Sequence, residues 1–332
     1  MITTAVQFRA PRTVELIDLE LPPLSDGHAL VRTLYSGISG GTEMLAYRGE
    51  INPSLPLDET LGPLQGQFSW PFRYGYSLVG QVEESRCPLR PGTSVFCFHP
   101  HQGHVIAKAS ELIEVGGCTT RLATLFPLVE TALQISLDAG PLLQEPIVVL
   151  GLGVVGILTG ALLTRSGAAV IGCDPLDWRR HAADSLGVTA VDPTDLEEQI
   201  SVMTRGRGVS LVIDAAGSST ALAGALELLA HEGTVLVASW YGTKPVTLPL
   251  GGSFHRRRLT LRSTQVSSIP GHLTPRWTLQ RRRETTLELM KELALEQLAT
   301  HSFPLREVAA AFEAVDSKAD DLIHAALSYG EG

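Results

Sequence analysis

Residues 146–174 read PIVVLGLGVVGILTGALLTRSGAAVIGCD. The opening run IVVL is short, apolar and mostly β-branched, which is typical of a buried strand. Glycines follow at positions 151, 153 and 156, and uncharged small and apolar residues then continue as in a buried helix. A second β-rich run, AAVIGC, ends at Asp174. The stretch therefore predicts a strand, a tight glycine turn, a buried helix and a second strand.

The spacing of these glycines, G-x-G-x-x-G, is a weak signal alone, but its place between a strand and a helix is typical of a dinucleotide site. The first glycine permits the turn, the second lets the backbone approach the pyrophosphate, and the third lets helix and strand pack closely. Free helix N–H groups and the positive dipole end then face the phosphates. The predicted cofactor contacts are Gly151, Gly153, Val154, Val155 and Gly156, with Ala216 after a later strand.

The acid that closes the second strand, Asp174, predicts the choice of cofactor. Its carboxylate can accept both hydroxyls of the adenosine ribose, whereas a 2′-phosphate would meet a like charge, so NAD is favoured over NADP. Arg179 and Arg180 follow on the next helix. Either could stack on adenine or compensate a phosphate, or both could be solvated helix charges. Asp214 could belong to the cofactor rim or cap the helix that follows it.

Alternating strand and helix patterns from about 146 to 265 predict a doubly wound α/β domain with a parallel sheet. The expected strands are 146–150, 168–173, 189–191, 210–215, 233–239 and 259–264. The expected helices are 153–166, 177–186, 195–204, 218–230 and a short one near 252–257.

The rest of the chain predicts a second, β-rich domain. The first 120 residues are short alternating runs broken by Pro and Gly, as in a partly closed barrel. The last part predicts a long helix at 276–297, another at 305–315, and a final strand that returns to the N-terminal domain. We therefore expect a dinucleotide-binding domain at 121–265 and a substrate domain formed by 1–120 and 266–332.

Composition excludes several classes of function. The chain has 332 residues, 44% hydrophobic and 18% charged, with a net charge of −9, so it predicts a globular protein that binds neither nucleic acid nor membrane. Its four cysteines form no C-x-x-C pair, and the N-terminus lacks the pattern of a secretory signal, which together favour a reduced, cytoplasmic protein. The uncharged run 147–163 approaches the length of a membrane span, but its glycines favour a strand, turn and buried helix.

Several segments resemble the medium-chain dehydrogenase/reductase superfamily, the zinc alcohol and polyol dehydrogenases. They are SGISGGTE (36–43), FRYGYSLVGQV (72–82), RPGTSVF (90–96), PLVETALQ (127–134), VVLGLGVVG (148–156), VIDAAGS (212–218), GTVLVASWYG (233–242) and FHRRRLTLRSTQ (254–265). The resemblance spans essentially the whole chain. It implies a GroES-like catalytic domain beside a Rossmann domain, a nicotinamide cofactor, and a homodimer paired through the edge strand LTLRSTQ.

The sequence departs from this family at the places of the catalytic zinc ligands. The family's cysteine, histidine and third ligand correspond to Ser39, Tyr76 and Phe126, none of which is a good zinc donor. The four-cysteine loop of a structural zinc is also absent. His99, His101 and His104 could offer another metal site, but alternation places His104 opposite the other two. We therefore predict a zinc-independent member with no bound metal.

Without zinc, a side chain must stabilise or protonate the substrate oxygen. The candidates that the resemblance places near the nicotinamide are Tyr76, Thr42, Glu130 and His101. Tyr76 is the first choice, because it takes a former ligand place and a phenol can donate to a developing alkoxide; it could also merely fill the volume of the zinc. Glu130 could be an acid of raised pKa or a hydrogen-bonding cap. His101 could relay protons to solvent, or it could be an exposed loop residue without a role.

The leading functional prediction is an NAD(H)-dependent oxidoreductase that interconverts a secondary alcohol and a ketone in a sugar, polyol or specialised metabolite. A second is a reductase of activated C=C bonds, as in enoyl and quinone reductases. A third is a cofactor-binding protein whose active site has decayed. The basic run at 276–283 is interpreted as a solvated helix start, although it could contact an acidic substrate or a partner subunit.

Overall fold

The computed structural model describes residues 1–330 and divides into two compact units. The first unit is Met1–Pro127 together with the chain from Met290 onward, and the second is Leu128–Leu289. Both junctions fall later in the chain than the boundaries expected at 120/121 and 265/266. The domain assignment therefore stays a prediction.

The strands are β1 (Ile2–Ala10), β2 (Thr13–Glu20), β3 (His28–Ile38), β4 (Leu78–Ser85), β5 (Ser94–Cys97), β6 (His104–Lys108), β7 (Ile113–Glu114), β8 (Pro146–Leu150), β9 (Ala169–Cys173), β10 (Thr189–Val191), β11 (Val209–Asp214), β12 (Leu229–Val237), β13 (Thr260–Ser263), β14 (His301–Pro304) and β15 (Ala325–Ser328). The α-helices are α1 (Thr42–Arg48), α2 (Thr120–Ala123), α3 (Phe126–Ala139), α4 (Val154–Arg165), α5 (Asp177–Ser185), α6 (Leu196–Thr204), α7 (Ser219–Leu228), α8 (Leu279–Glu292) and α9 (Val308–Asp316).

The second unit contains a parallel sheet in the order β10-β9-β8-β11-β12-β13. Counted along the chain this order is third, second, first, fourth, fifth, sixth, which is the doubly wound arrangement of Rossmann domains. The predicted fold class is confirmed. Every predicted strand of this sheet is present, with ends that shift by up to four residues.

Apolar side chains on the faces of the sheet stabilise it by packing in a buried core. Val148, Val212 and Val235 of three neighbouring strands are fully buried and share one core cluster with Leu222 and Leu226 of α7. Burying one such side chain contributes roughly 1.5–3 kcal/mol relative to leaving it exposed. The central strands are therefore the most buried part of this unit.

Two glycines allow the helix after β8 to begin close to the sheet. Gly151 has φ +89°, and a Cβ there would lie 2.6 Å from Ala216 Cα. A Cβ on Gly156 would lie 1.9 Å from the carbonyl oxygen of Gly151. No other residue fits at Gly156 unless α4 moves away from the strand.

The first unit is β-rich, as predicted. It combines the antiparallel pair β1–β2 with a sheet in the order β14-β15-β3-β4-β5-β7, in which β6 also pairs with β3. The last strand, β15, pairs antiparallel with β3. The expected return of the chain to its N-terminal part is confirmed.

An aromatic cluster forms the core of this unit. The Phe8 ring stacks on Phe72 at 5.2 Å between centroids and meets Phe312 edge-on at 5.3 Å. Each ring buries a large apolar area, and such pairs add about 0.5–1.5 kcal/mol beyond burial. The cluster fixes the segment that leads from Phe72 to Tyr76.

Two helices differ from their predictions: one is shorter than expected, and the other is a π-type turn instead of an α-helix. The helix expected at 276–297 is Leu279–Glu292, because the Thr278 hydroxyl caps its start by accepting the N–H of Arg281 (3.1 Å). The helix expected near 252–257 is a π-type turn at Leu250–Phe254, with non-helical dihedrals at Gly252. Within residues 1–330, no helix combines the length and the apolarity that a bilayer crossing requires.

We predict that Gly156→Ala destabilises the protein by about 3 kcal/mol or more, because the new methyl group overlaps a backbone carbonyl that cannot move independently. Urea denaturation followed by circular dichroism measures the loss. The matched control is Gly224→Ala in α7, where a Cβ meets nothing within 4 Å. That variant gains up to about 1 kcal/mol from helix propensity. Equal stability of the two variants would contradict the close packing of α4.

Candidate active site

The glycine turn of the second unit leaves open space where phosphate would bind. Gly153 is the residue before α4, and a Cβ built there meets nothing within 4 Å. The N–H groups of Val154, Val155 and Gly156 open the helix, where backbone donors have no partner within the helix itself. The space beside Gly156 is occupied by the backbone of Gly151, whereas the space beside Gly153 is open. This arrangement fits a dinucleotide pyrophosphate.

Asp174 lies at the carboxyl end of β9 and is 3% exposed. Its Oδ2 accepts the N–H of Leu152 in the glycine turn, and its Oδ1 accepts the N–H of Leu176, both at 2.9 Å. Each carboxylate oxygen keeps another lone pair for a ribose hydroxyl. The acid therefore supports the turn and remains able to bind a ribose.

Two arginines follow Asp174 and have different surroundings. Arg180 is engaged by the backbone carbonyl of Asp174 and by the carboxylates of Asp177 and Asp192. Arg179 lies 3.5 Å from Asp174 Oδ2 and over the ring of Trp178, and its buried Nε has no hydrogen-bond partner among the described residues. Arg179 therefore keeps a free donor next to Asp174, whereas the donors of Arg180 bind neighbouring groups of the protein.

Asp214 and Ala216 lie where β11 ends. The Asp214 carboxylate is buried, accepts the Tyr241 hydroxyl (2.8 Å) and the N–H of Ala216 (3.2 Å), and has a pKa raised mainly by burial. The Asp214 carboxylate is thus already engaged by hydrogen bonds within the protein. Ala216 lies against Gly151, as its 2.6 Å approach to a Cβ built there shows.

Glu130 of α3 has a partner that its sequence context did not suggest. Arg282 of α8 donates through Nε to Glu130 Oε1 at 3.1 Å, and both side chains are 3% exposed. Arg282 also binds the side-chain oxygen of Gln134 at 2.5 Å. Burial raises the pKa of Glu130, and the two arginines Arg282 and Arg283 oppose that rise. The interpretation of the whole basic run as solvated is therefore wrong at Arg282, because a buried carboxylate requires a paired charge.

Tyr76 lies in the first unit, on the segment between the aromatic core and β4. Its partly buried side chain packs on the aromatic core and has the hydroxyls of Ser39 and Thr42 as polar neighbours. Burial and the nearby Glu43 carboxylate raise the pKa of Tyr76 above its usual range. The phenol is therefore held in its neutral form, which is a hydrogen-bond donor.

His101 is buried, so the expectation of an exposed loop residue is wrong. Its side chain and that of Glu43 are both 0% exposed, and His101 Nε2 lies 2.8 Å from Glu43 Oε2. His101 Nδ1 lies 2.7 Å from the Ser36 hydroxyl. The imidazole also packs on Gly75, where a Cβ would come within 2.7 Å of the ring. The backbone beside Tyr76 is therefore shaped around this ring.

Three members of this polar cluster, Glu43, Ser36 and Tyr329, are not among the site residues predicted from the sequence. Glu43 Oε1 accepts the N–H of Ser39 at 2.9 Å, and the Tyr329 hydroxyl lies 2.8 Å from that of Ser36. Glu43 follows Thr42 directly, and an acid in the first turn of an apolar helix was a usable signal. Nothing in the sequence connects Tyr329 with Ser36, which lies 293 residues earlier.

Phe126, one of the positions that the resemblance aligns with zinc ligands, and two of the three histidines considered for a metal all make other contacts. Phe126 is fully buried and packs on the rings of Phe96 and Phe98, with centroids 4.7 and 6.2 Å away. His99 binds the Pro100 carbonyl and has a pKa lowered to about 4 by burial, and His104 pairs with Glu83 at 3.5 Å. In the described part of the chain, no three His, Cys, Asp or Glu side chains are grouped as metal ligands would be.

Comparison with known proteins matches a family described as zinc-binding dehydrogenase to residues 154–281. That range contains none of positions 39, 76 and 126. D-guloside 3-dehydrogenase of Escherichia coli is 26% identical over 309 residues, which cover 85% of this chain and 86% of the relative. 2-Desacetyl-2-hydroxyethyl bacteriochlorophyllide A dehydrogenase of Cereibacter sphaeroides is 26% identical over 97% of both chains.

Solved structures share the whole fold. An Escherichia coli oxidoreductase/dehydrogenase of unknown specificity has a TM-score of 0.82 and 18% identity over 100% of both chains. An alcohol dehydrogenase of Escherichia coli in complex with NADH has a TM-score of 0.77 and 16% identity, covering 98% of this chain and 99% of its own. A Sinorhizobium meliloti protein bound to NADP has a TM-score of 0.76 and 19% identity over 99% of both chains.

The Rossmann strand order, the family match inside the second unit and relatives that align along most of the length agree with one another. Residues 154–281 match the zinc-binding dehydrogenase family, and the chain is similar to dehydrogenases along most of its length.

Proposed function

We propose that this protein is a zinc-independent, NAD(H)-dependent oxidoreductase that interconverts a secondary alcohol and a ketone. The observation that carries the proposal is the neutral phenol of Tyr76 at a former ligand place, with the hydroxyls of Ser39 and Thr42 beside it. Relatives that are named as sugar and threonine dehydrogenases support a hydroxylated substrate.

The open backbone at Gly153, the helix start at Val154 and Val155, and the buried acid Asp174 support dinucleotide binding by the second unit. The bound nicotinamide supplies hydride exchange at the substrate carbon. A 2′-phosphate would meet the Asp174 carboxylate, so we propose NAD rather than NADP. Neighbours of the same fold carry NADH or NADP, and the preference therefore depends on Asp174 and the adjacent Arg179.

The first unit supplies the proton chemistry in this proposal. In ketone reduction the Tyr76 hydroxyl donates to the carbonyl oxygen, where negative charge develops. Its raised pKa keeps it protonated and makes it an acid rather than a base. The hydroxyl of Thr42, a polar neighbour of Tyr76, orients the phenol and can replace its proton.

Glu43 and His101 act as positioning residues in this scheme. The Glu43 carboxylate accepts the backbone N–H of Ser39, and the His101 ring packs against the backbone at Gly75. The pair therefore positions the two backbone segments next to the phenol. Its burial and its hydrogen bonds make the arrangement rigid. Glu130 is assigned a structural role, because Arg282 already holds its carboxylate.

We include the absence of a catalytic zinc in the proposal, because the side chains at the three ligand places are not ones that zinc prefers. A serine hydroxyl, a phenol of raised pKa and a phenylalanine occupy the ligand places, and none of them matches the thiolate and imidazole that zinc prefers. The cytoplasmic location and the homodimer stay predictions.

Tyr76→Phe is expected to lower the kcat of ketone reduction by about 100-fold or more, because it removes the general acid. The Kd of NADH, measured by fluorescence titration, stays unchanged. The matched control is Tyr74→Phe, since Tyr74 lies two residues earlier and its ring packs in the core. Unchanged turnover in Tyr76→Phe would remove this residue from the mechanism. Turnover of a panel of enones, measured beside that of ketones, tests the alternative of C=C reduction.

Purified protein is expected to contain well below one zinc per chain by plasma mass spectrometry. Its turnover should also be insensitive to phenanthroline. Copurification of about one zinc per chain, lost together with activity on chelation, would overturn the zinc-independent mechanism.

NADH is expected to bind at least about ten-fold more tightly than NADPH, corresponding to ~1.4 kcal/mol of charge repulsion at Asp174. Asp174→Asn removes the charge and should narrow that ratio. The control is Asp177→Asn, which removes an exposed charge three residues later. A ratio that favours NADPH in the natural protein would contradict the assignment of Asp174.

A further inference from the structure

The first unit contains a cavity of about 460 Å³ that the proposed chemistry does not use. Its wall includes the side chains of Gln65, Gln67, Ser69, Phe72 and Arg73, together with Pro100. The wall therefore combines apolar and polar side chains, as in sites for hydroxylated ligands. Arg73 is the only cation of this wall.

The guanidinium of Arg73 is held in place by a buried amide. Its Nη1 donates to Gln102 Oε1 at 2.8 Å, and Gln102, 3% exposed, donates in turn to the His104 carbonyl at 2.6 Å. Among residues 1–330, Arg73 has no carboxylate partner within ion-pair distance. A guanidinium has five N–H donors, so most of these donors stay available.

An arginine that is fixed, partly buried and without an acid is unusual, because burial of a charge is unfavourable unless an opposite charge compensates it. Burial lowers the pKa of Arg73, which reflects this loss of solvation. Planar guanidinium groups bind carboxylate and phosphate through two parallel hydrogen bonds. The missing partner thus fits an oxyanion of a ligand.

Two segments of the chain contribute residues both to the cavity and to the polar cluster around Tyr76. Arg73 precedes Tyr76 by three residues, and Pro100 directly precedes His101. The His101 N–H donates to the Tyr74 carbonyl at 3.4 Å and thereby joins the two segments. Three residues of extended chain span at most about 11 Å, which is within reach of a molecule the size of a hexose derivative.

We propose that this cavity is the specificity subsite for the charged end of the substrate, a sugar or polyol that carries a carboxylate or phosphate. Arg73 binds the oxyanion through its free donors. The amides of Gln65 and Gln67 and the Ser69 hydroxyl bind hydroxyl groups along the chain. The reacting hydroxyl then lies toward Tyr76. This proposal rests on the proposed function and adds the substrate class to it.

The test is equilibrium binding to the full chain by calorimetry, without turnover and at constant ionic strength. The probes are galactitol, D-galactonate and galactitol 1-phosphate, which share a carbon chain and differ in charge. Either anion is expected to bind about ten-fold or more tightly than galactitol. The stronger of the two identifies carboxylate or phosphate as the natural group.

Arg73→Gln should lose that advantage and bind all three probes equally, whereas Arg73→Lys should retain part of it. The matched control is Arg86→Gln, which removes an exposed charge from the same unit and leaves the advantage intact. Unfolding midpoints show that each variant is folded.

Equal binding of neutral and charged probes by the natural protein overturns the subsite, and so does an anion advantage that survives Arg73→Gln. Failure of the redox proposal has a different signature. In that case the anions bind through Arg73, but neither the natural protein nor any variant oxidises a bound alcohol with NAD.

Discussion

The contact between the start of α4 and the end of β8 constrains everything in the second unit. A Cβ on Gly156 would lie 1.9 Å from the Gly151 carbonyl oxygen, so helix and strand meet at backbone distance. This approach aims the first N–H groups of the helix at the space beside Gly153. Asp174 accepts the N–H of Leu152 and thereby ties the next strand to the same turn. The glycine turn and the Asp174 carboxylate are consequently parts of one rigid element.

The first unit follows a different principle, in which a buried polar cluster lies against an aromatic core. Glu43, His101 and Ser36 satisfy one another where water does not reach. Such a network is costly when incomplete and rigid when complete. In the proposed function, this network gives the surroundings of Tyr76 a fixed geometry without a bound metal.

The sequence was most informative where one local pattern had a single structural solution. The glycine spacing with its flanking strand and helix predicted the turn, and the alternation from 146 to 265 predicted the parallel sheet. It was least informative about His101 and Arg282. Both are polar residues in polar stretches, and only their distant partners Glu43 and Glu130 explain why they are buried. Burial of a polar side chain depends on a partner that local composition does not identify.

By itself the sequence determined the doubly wound fold and the glycine turn with the acid that follows it, and it predicted, through a family resemblance, that positions 39, 76 and 126 lack metal ligands. These follow from residue type and short-range spacing, because backbone conformation and donor chemistry are local properties. Only the tertiary structure decided that His101 pairs with Glu43, that Tyr329 reaches Ser36, and that Arg73 lies in a cavity without an acid. Those facts depend on which distant segments pack together, and the free energy of a buried charge depends on its neighbours in space.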